Sequence, residues 1–183
     1  VYPPTVDWNI PLVQRPQQLA LSLSDLGYLF FFCTTNTIDK IEDIYEINKN
    51  CYLISNFNLL IKELPYFILL VSSTILSLNI KSINKNCNKK LLIYEYIDEI
   101  HPDISAQSLK VHQKMLDRHK YMIKKSDFLI ATADNLLEEL QEARRDSVYL
   151  IPNGVDYMHF HIKRDALLIP KEMKTVVDKG LSL

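Results

Sequence analysis

Residues Leu91 to Asp103 read LLIYEYIDEIHPD, and the stretch changes character halfway. Its first half is a short run of Leu, Ile and Tyr, the composition of a strand buried on both faces. Its second half crowds Glu95, Asp98, Glu99, His101 and Asp103 into nine positions. In an open parallel sheet, ligands bind in the crevice beyond the carboxyl ends of the strands. A buried strand that runs directly into acids therefore predicts an α/β sheet and places its chemistry at that edge.

The surrounding sequence repeats the first half of this pattern. Gly27 to Thr35, Cys51 to Asn56, Tyr66 to Ser72, Phe128 to Ala133 and Val148 to Ile151 are short apolar runs that read as central parallel strands. Segments of helical period separate them, the alternation expected of a parallel sheet covered by helices. Pro16 sits where a first helical turn accepts proline, Leu19, Leu23 and Leu26 line one face, and Gly27 stops the helix. Leu109, Leu116 and Ile123 recur seven apart on the longest helix, beside Met115 and Met122, and Asp134 is placed to cap a further helix. Lys81 to Lys90 (KSINKNCNKK) reads as a solvated turn. Leu64 to Ile80, the longest uncharged stretch, is short and interrupted for a membrane span and reads as a strand followed by a helix.

Both ends carry a domain-level expectation. Only Val1 and Tyr2 precede Pro3-Pro4, so the opening strand of the sheet is expected to lack its beginning. Residues 1–152 read as one Rossmann-like, doubly wound domain with helices on both faces. Residues 153–183 read as a linker, with one weak helix over Pro170 to Lys179, leading toward a further domain.

Composition narrows the function. The 183 residues are 48% hydrophobic and 23% charged, with a net charge of −1, so the chain folds around a core and lacks the basic footprint of a nucleic-acid binder. Cys33, Cys51 and Cys87 form no CxxC pair, which argues against zinc, a redox motif or a disulfide framework and fits a reducing cytoplasm. No charged n-region followed by an apolar h-region opens the sequence, and no signal peptide is expected. Gly27, Gly154 and Gly180 are the three glycines, too far apart for a dinucleotide fingerprint or a P-loop.

Three segments carry a resemblance: VDWNIPLVQRPQQLALSLSDLGY (residues 6–28), IYEYIDEIHPDIS (93–105) and IATADNLLEEL followed by VYLIPNGVDYMHF (130–140 and 148–160). In that order and spacing they resemble the N-terminal domain of GT-B glycosyltransferases of the large group-one family that builds bacterial surface polysaccharides. The resemblance covers about residues 1 to 160. It implies two Rossmann-like domains facing across a cleft, the first mostly holding the acceptor and the second mostly holding the sugar nucleotide. It further implies a sugar or lipid-linked acceptor, a nucleotide-sugar donor, and no metal or other cofactor, helix dipoles and basic side chains neutralising the leaving diphosphate. A cytoplasmic location, with peripheral contact at the inner face of the membrane, accompanies it. The donor-binding acidic motif of the second domain has no counterpart here, so the isolated chain is expected to be inactive.

Candidate site residues follow. Glycosyl transfer to a hydroxyl needs a base within hydrogen-bond reach, and Asp98, the Asp of the strand-end motif, is the first choice in an inverting enzyme; in a retaining one it would position the acceptor. Glu99 and His101 are the neighbouring candidates for substrate binding, against a plain capping role for Asp98 and Glu99. Arg15 lies at a helix start, where a cation is unfavourable without an anion nearby. With Trp8 and Gln17 it is a candidate for holding a phosphate, against a partner carboxylate such as Asp7. Asn153 and Gly154 form a dipeptide that tolerates positive φ, and the resemblance makes them a hinge or cleft edge. His112 and His119 read as core-edge histidines, and His159 and His161 as linker residues. Lys81, Lys85, Lys89 and Lys90 read as a solvated face or a contact with anionic membrane. A non-catalytic α/β interaction module and a small self-contained phosphate-handling enzyme are the rival readings.

Overall fold

In a computed structural model the chain is described at residues 1–73, 78–86, 90–105, 108–155, 157 and 161. It divides into two compact units, Val1–Pro152 and Asn153–Leu183. In the second, the rings of Tyr157 and His161 stack 4.7 Å apart and the His161 amide donates to the Tyr157 carbonyl. His159 and the expected helix over Pro170 to Lys179 lie outside the described residues.

The first unit is a mainly parallel sheet. Its strands are β1 (Phe30–Cys33), β2 (Ile44–Asn48), β3 (Cys51–Ile54), β4 (Phe67–Ser72), β5 (Lys90–Tyr96), β6 (Phe128–Ala131) and β7 (Val148–Leu150). β4, β5, β6 and β7 pair in parallel in that order. β1 pairs in parallel with β3, and β2 pairs antiparallel on the outer side of β3. Val1–Tyr2 joins the two groups. The Val1 nitrogen donates to the Ile68 carbonyl at 2.7 Å and the Leu70 amide to the Val1 carbonyl at 3.0 Å. On the other flank, Tyr2 donates to Phe31 and Cys33 to Tyr2, both at 2.9 Å. The order across the sheet is thus β2-β3-β1-(Val1–Tyr2)-β4-β5-β6-β7. Pro3 ends the central pairing because it has no N–H to give.

The helices are α1 (Arg15–Asp25), α2 (Phe57–Glu63), α3 (Ile80–Asn86), α4 (Pro102–Ser105), α5 (Leu109–Lys125) and α6 (Asp134–Ala143). Successive strand residues point to opposite faces, and β5 shows which helices lie where. Glu95 meets Arg15 of α1, while Tyr94 meets His119 of α5 and Tyr96 meets Glu139 of α6. The fold is therefore doubly wound, with α1 on one face and α5 and α6 on the other. Phe32, Leu53, Leu69, Leu92, Leu129 and Leu140 form the solvent-free centre of the core. Among the described residues no helix is long and apolar enough to cross a membrane.

Several local expectations are corrected. Leu26 and Leu109 are 75% and 83% exposed; Leu19 and Leu23 pack partly buried against the core beside the buried Gln17, Ala20 and Ser24 of α1, and α5 buries Met115, His119, Met122 and Ile123. β7 is an edge strand, with Tyr149 and Leu150 exposed. β2 is an additional strand, and α3 occupies the first part of the supposed turn from Lys81. Asp134 is the first helical residue of α6, whose N-cap is Ala133 with no side-chain hydrogen bond. The Asn153-Gly154 dipeptide does not use its tolerance of positive φ, for neither residue is in the left-handed region. That region is used at Gly27, φ 92°, where α1 ends with Gly27 donating to Ser24 and Tyr28 to Leu23.

Candidate active site

The carboxyl ends of the strands collect the polar side chains of the unit. β5 ends in Glu95 and Tyr96, and the loop 97–100 that follows is pinned on both flanks. From β4, Ser73 Oγ accepts the Ile97 amide at 3.3 Å, and the Ser73 amide donates to the Glu95 carbonyl at 2.8 Å. From the end of β6, Thr132 Oγ1 donates to the Ile97 carbonyl at 2.9 Å. Tyr96 Oη accepts the Ile100 amide at 3.4 Å and donates to Glu139 Oε2 at 2.8 Å. These bonds fix the backbone from which Asp98 and Glu99 project, and both side chains are exposed. Among the described residues none donates a hydrogen bond to either carboxylate.

The capping role falls to a different residue. His101 Nδ1 accepts the Asp103 amide at 3.3 Å, at the start of α4. The same nitrogen lies 3.6 Å from Asp103 Oδ2.

Glu95 answers why an acid interrupts the buried strand. It is 3% exposed, and its Oε1 accepts from Arg15 Nε at 2.9 Å and Arg15 Nη2 at 2.8 Å. Arg15 also donates to the carbonyls of Ile151 and Pro152, each at 3.2 Å. The first residue of α1 thus ties β5 to the segment leaving β7. The carboxylate at Arg15 is Glu95 and not Asp7. Nothing in the local sequence signals this, because Glu95 and Arg15 are 80 residues apart.

Asp7 has its own enclosure. It is buried, accepting from the hydroxyls of Thr34, Thr35 and Thr37 and from the amides of Ile38 and Asp39. Burial alone would raise its pKa, but these hydrogen bonds outweigh it and hold the carboxyl far below the usual carboxylate range. Asp39 completes the clasp by accepting the amides of Trp8 and Asn9 at 2.7 and 2.9 Å. Trp8 is half-buried, its ring edge-on to Phe32 at 5.1 Å. Gln17 is buried; its Oε1 accepts the Gln14 amide, and its Nε2 donates to the carbonyls of Asp7 and Trp8. Gln17 therefore shapes the loop 7–14 from beneath and does not itself reach solvent. Asn153 and Gly154 are exposed and belong to the second unit.

On the other face, His119 Nδ1 lies 2.8 Å from Tyr94 Oη and Nε2 lies 3.3 Å from Glu139 Oε1. Burial lowers the His119 pKa, opposed by Glu139. A neutral ring accepts from Tyr94, and its Nε2 faces Glu139 without hydrogen-bond geometry among the described residues. Burial also pushes the thiols of Cys33 and Cys51 up to about 12 and about 11, which leaves neither a ready nucleophile at neutral pH. Among the described residues no group of three or more His, Cys, Asp or Glu converges to hold a metal ion.

No protein-family model matches the sequence, and no curated protein matches it. Solved structures do match. A sucrose-phosphate synthase from Thermosynechococcus elongatus superposes with a TM-score of 0.68 at 16% identity, over 90% of this chain and 50% of that one. A second chain of the same enzyme superposes with a TM-score of 0.58 at 15% identity, over 87% of this chain and 91% of that one. The chain spans about half the length of the first of these structures. The fold is that of a GT-B Rossmann-like domain.

Proposed function

We propose that this chain is the acceptor-side domain of a GT-B glycosyltransferase that moves a sugar from a nucleotide-sugar to a surface-glycan or lipid-linked acceptor on the cytoplasmic side of a bacterial membrane. The observation that carries the reading is the contrast between two acids three residues apart. Glu95 is buried and neutralised by Arg15, whereas Asp98 is exposed on a loop held from both sides. An acid that is to take the proton from an acceptor hydroxyl needs an open carboxylate on a positioned backbone, and Asp98 has both.

In this reading the acceptor hydroxyl gives its proton to Asp98 as its oxygen bonds to the anomeric carbon and the nucleoside diphosphate departs. Glu99 and His101 contact the acceptor. Trp8 and Gln17 hold the loop 7–14, and Arg15 fixes the edge between β5 and the segment 151–152. Asn153 and Gly154 begin the passage toward the donor-side half. The isolated chain carries the acceptor groups and does not turn over.

The test is transfer by the protein that carries both halves. Asp98→Asn lowers kcat by about 10² to 10⁴ while donor KM stays unchanged, and Glu142→Gln, at an exposed position on α6 outside the proposed contacts, leaves the rate intact. A full rate in Asp98→Asn refutes the assignment.

A further inference from the structure

We propose that the groove between the start of α3 and the first three turns of α5 is a binding site for a phosphoryl-bearing ligand, separate from the strand-end site. The groove has a volume of about 660 Å³, within the range of small-molecule sites. Its α5 wall is the stripe Val111, Lys114, Arg118 and Tyr121, spaced three and four apart so that all four lie on one side of the helix. Lys81 enters from α3, with Nζ 5.4 Å from the centre of the Tyr121 ring. Three cations thus face a groove whose lining includes one carboxylate, Asp117.

Arg118 makes the groove more than a basic surface. Its Nε and Nη2 are shut off from solvent and have no hydrogen-bond partner among the described residues. Three acceptors of the surrounding elements already have donors. Asp117 Oδ1 takes the Gln113 amide group at 2.9 Å, the Tyr94 hydroxyl is engaged with His119, and Glu139 takes the Tyr96 hydroxyl. Burial lowers the Arg118 pKa, so the protein bears the guanidinium charge at a cost. A guanidinium fork with two desolvated, empty N–H groups matches a phosphoryl oxygen pair. Lys114 and Lys81 balance the remaining charge, and the Tyr121 ring and Val111 offer apolar contact to whatever bears the phosphoryl group.

The same chemistry is presented by a soluble phosphorylated compound and by a phospholipid headgroup, and the test separates them. The 183-residue chain is titrated with sodium pyrophosphate at constant ionic strength, following melting temperature and amide chemical shifts, and is co-sedimented with phosphatidylcholine vesicles with and without phosphatidic acid. Saturable binding to pyrophosphate or to the acidic vesicles is expected, weakened about ten- to a hundred-fold by Arg118→Gln. Lys114→Gln weakens it less, and Arg145→Gln, at an exposed position beyond the end of α6, leaves it unchanged. Pyrophosphate binding without vesicle recruitment identifies a soluble ligand, and the reverse identifies a headgroup; both support the site. Should Arg118→Gln misfold by circular dichroism, the Lys81→Gln/Lys114→Gln pair carries the test. Absence of saturable binding to both probes, or equal binding by the folded variants, overturns the proposal.

Discussion

Replacing Arg15 by Met strips the buried Glu95 of its counter-ion and so probes the join between α1, β5 and the segment after β7. The Glu95 side chain is 4% exposed and that of Arg15 15%, so this is a buried pair, and removing one partner of such a pair costs about 3–5 kcal/mol. The two carbonyl contacts at 3.2 Å are long and add about 0.5–1 kcal/mol each at most. A loss of about 3–5 kcal/mol corresponds to a fall in Tm of about 6–20 °C for a chain of this size. The assay is urea denaturation followed by the fluorescence of Trp8, the single tryptophan, which packs on Phe32 inside the same unit. The double variant Arg15→Met/Glu95→Leu, which removes both charges, recovers to within about 1–2 kcal/mol of the parent. A single-variant loss under about 1 kcal/mol, or a double variant whose loss equals the sum of the two singles, refutes the claim that the pair acts as a unit.

Two further outcomes are expected. His119, whose pKa burial depresses, binds a proton more readily in the unfolded chain, so stability is lost as pH falls below about 6.5, by up to about 1.4 kcal/mol per pH unit; urea midpoints across that window check this, and an unchanged slope in His119→Gln contradicts it. Gly27→Ala costs about 1 kcal/mol from its φ of 92° alone, because nothing lies within 4 Å of the added methyl; equal urea midpoints for the two proteins count against that account.

The sheet was legible because its parallel strands are buried on both faces and so stand out as apolar runs. β2 was not, since Ile44, Tyr45 and Glu46 are all exposed and leave no run to see. Of the seven-residue series on α5, Ile123 is buried with Met115 and Met122 while Leu109 is exposed; the inner face is completed by His119, a polar residue made tolerable inside by the hydroxyl of Tyr94. α3 hid within a Lys/Asn-rich segment, although Asn79 carries an N-cap signal and its side chain does accept the Ser82 amide. At the candidate site, the strand-to-acid transition located Asp98. What the sequence does not reveal is which of several acids is neutralised, because the partner of Glu95 depends on how α1 folds over the sheet.

The anchoring of the loop 97–100 relies on the backbone of Ile97 and Ile100 and on side chains from Ser73, Tyr96 and Thr132, never on the side chain of residue 98. Scaffold and reagent are therefore separate parts. The residue at 98 is exchangeable in the way a tool tip is: amide, thiol or imidazole can be mounted there without loosening the holder, so reactivity at this position is tunable independently of thermal endurance.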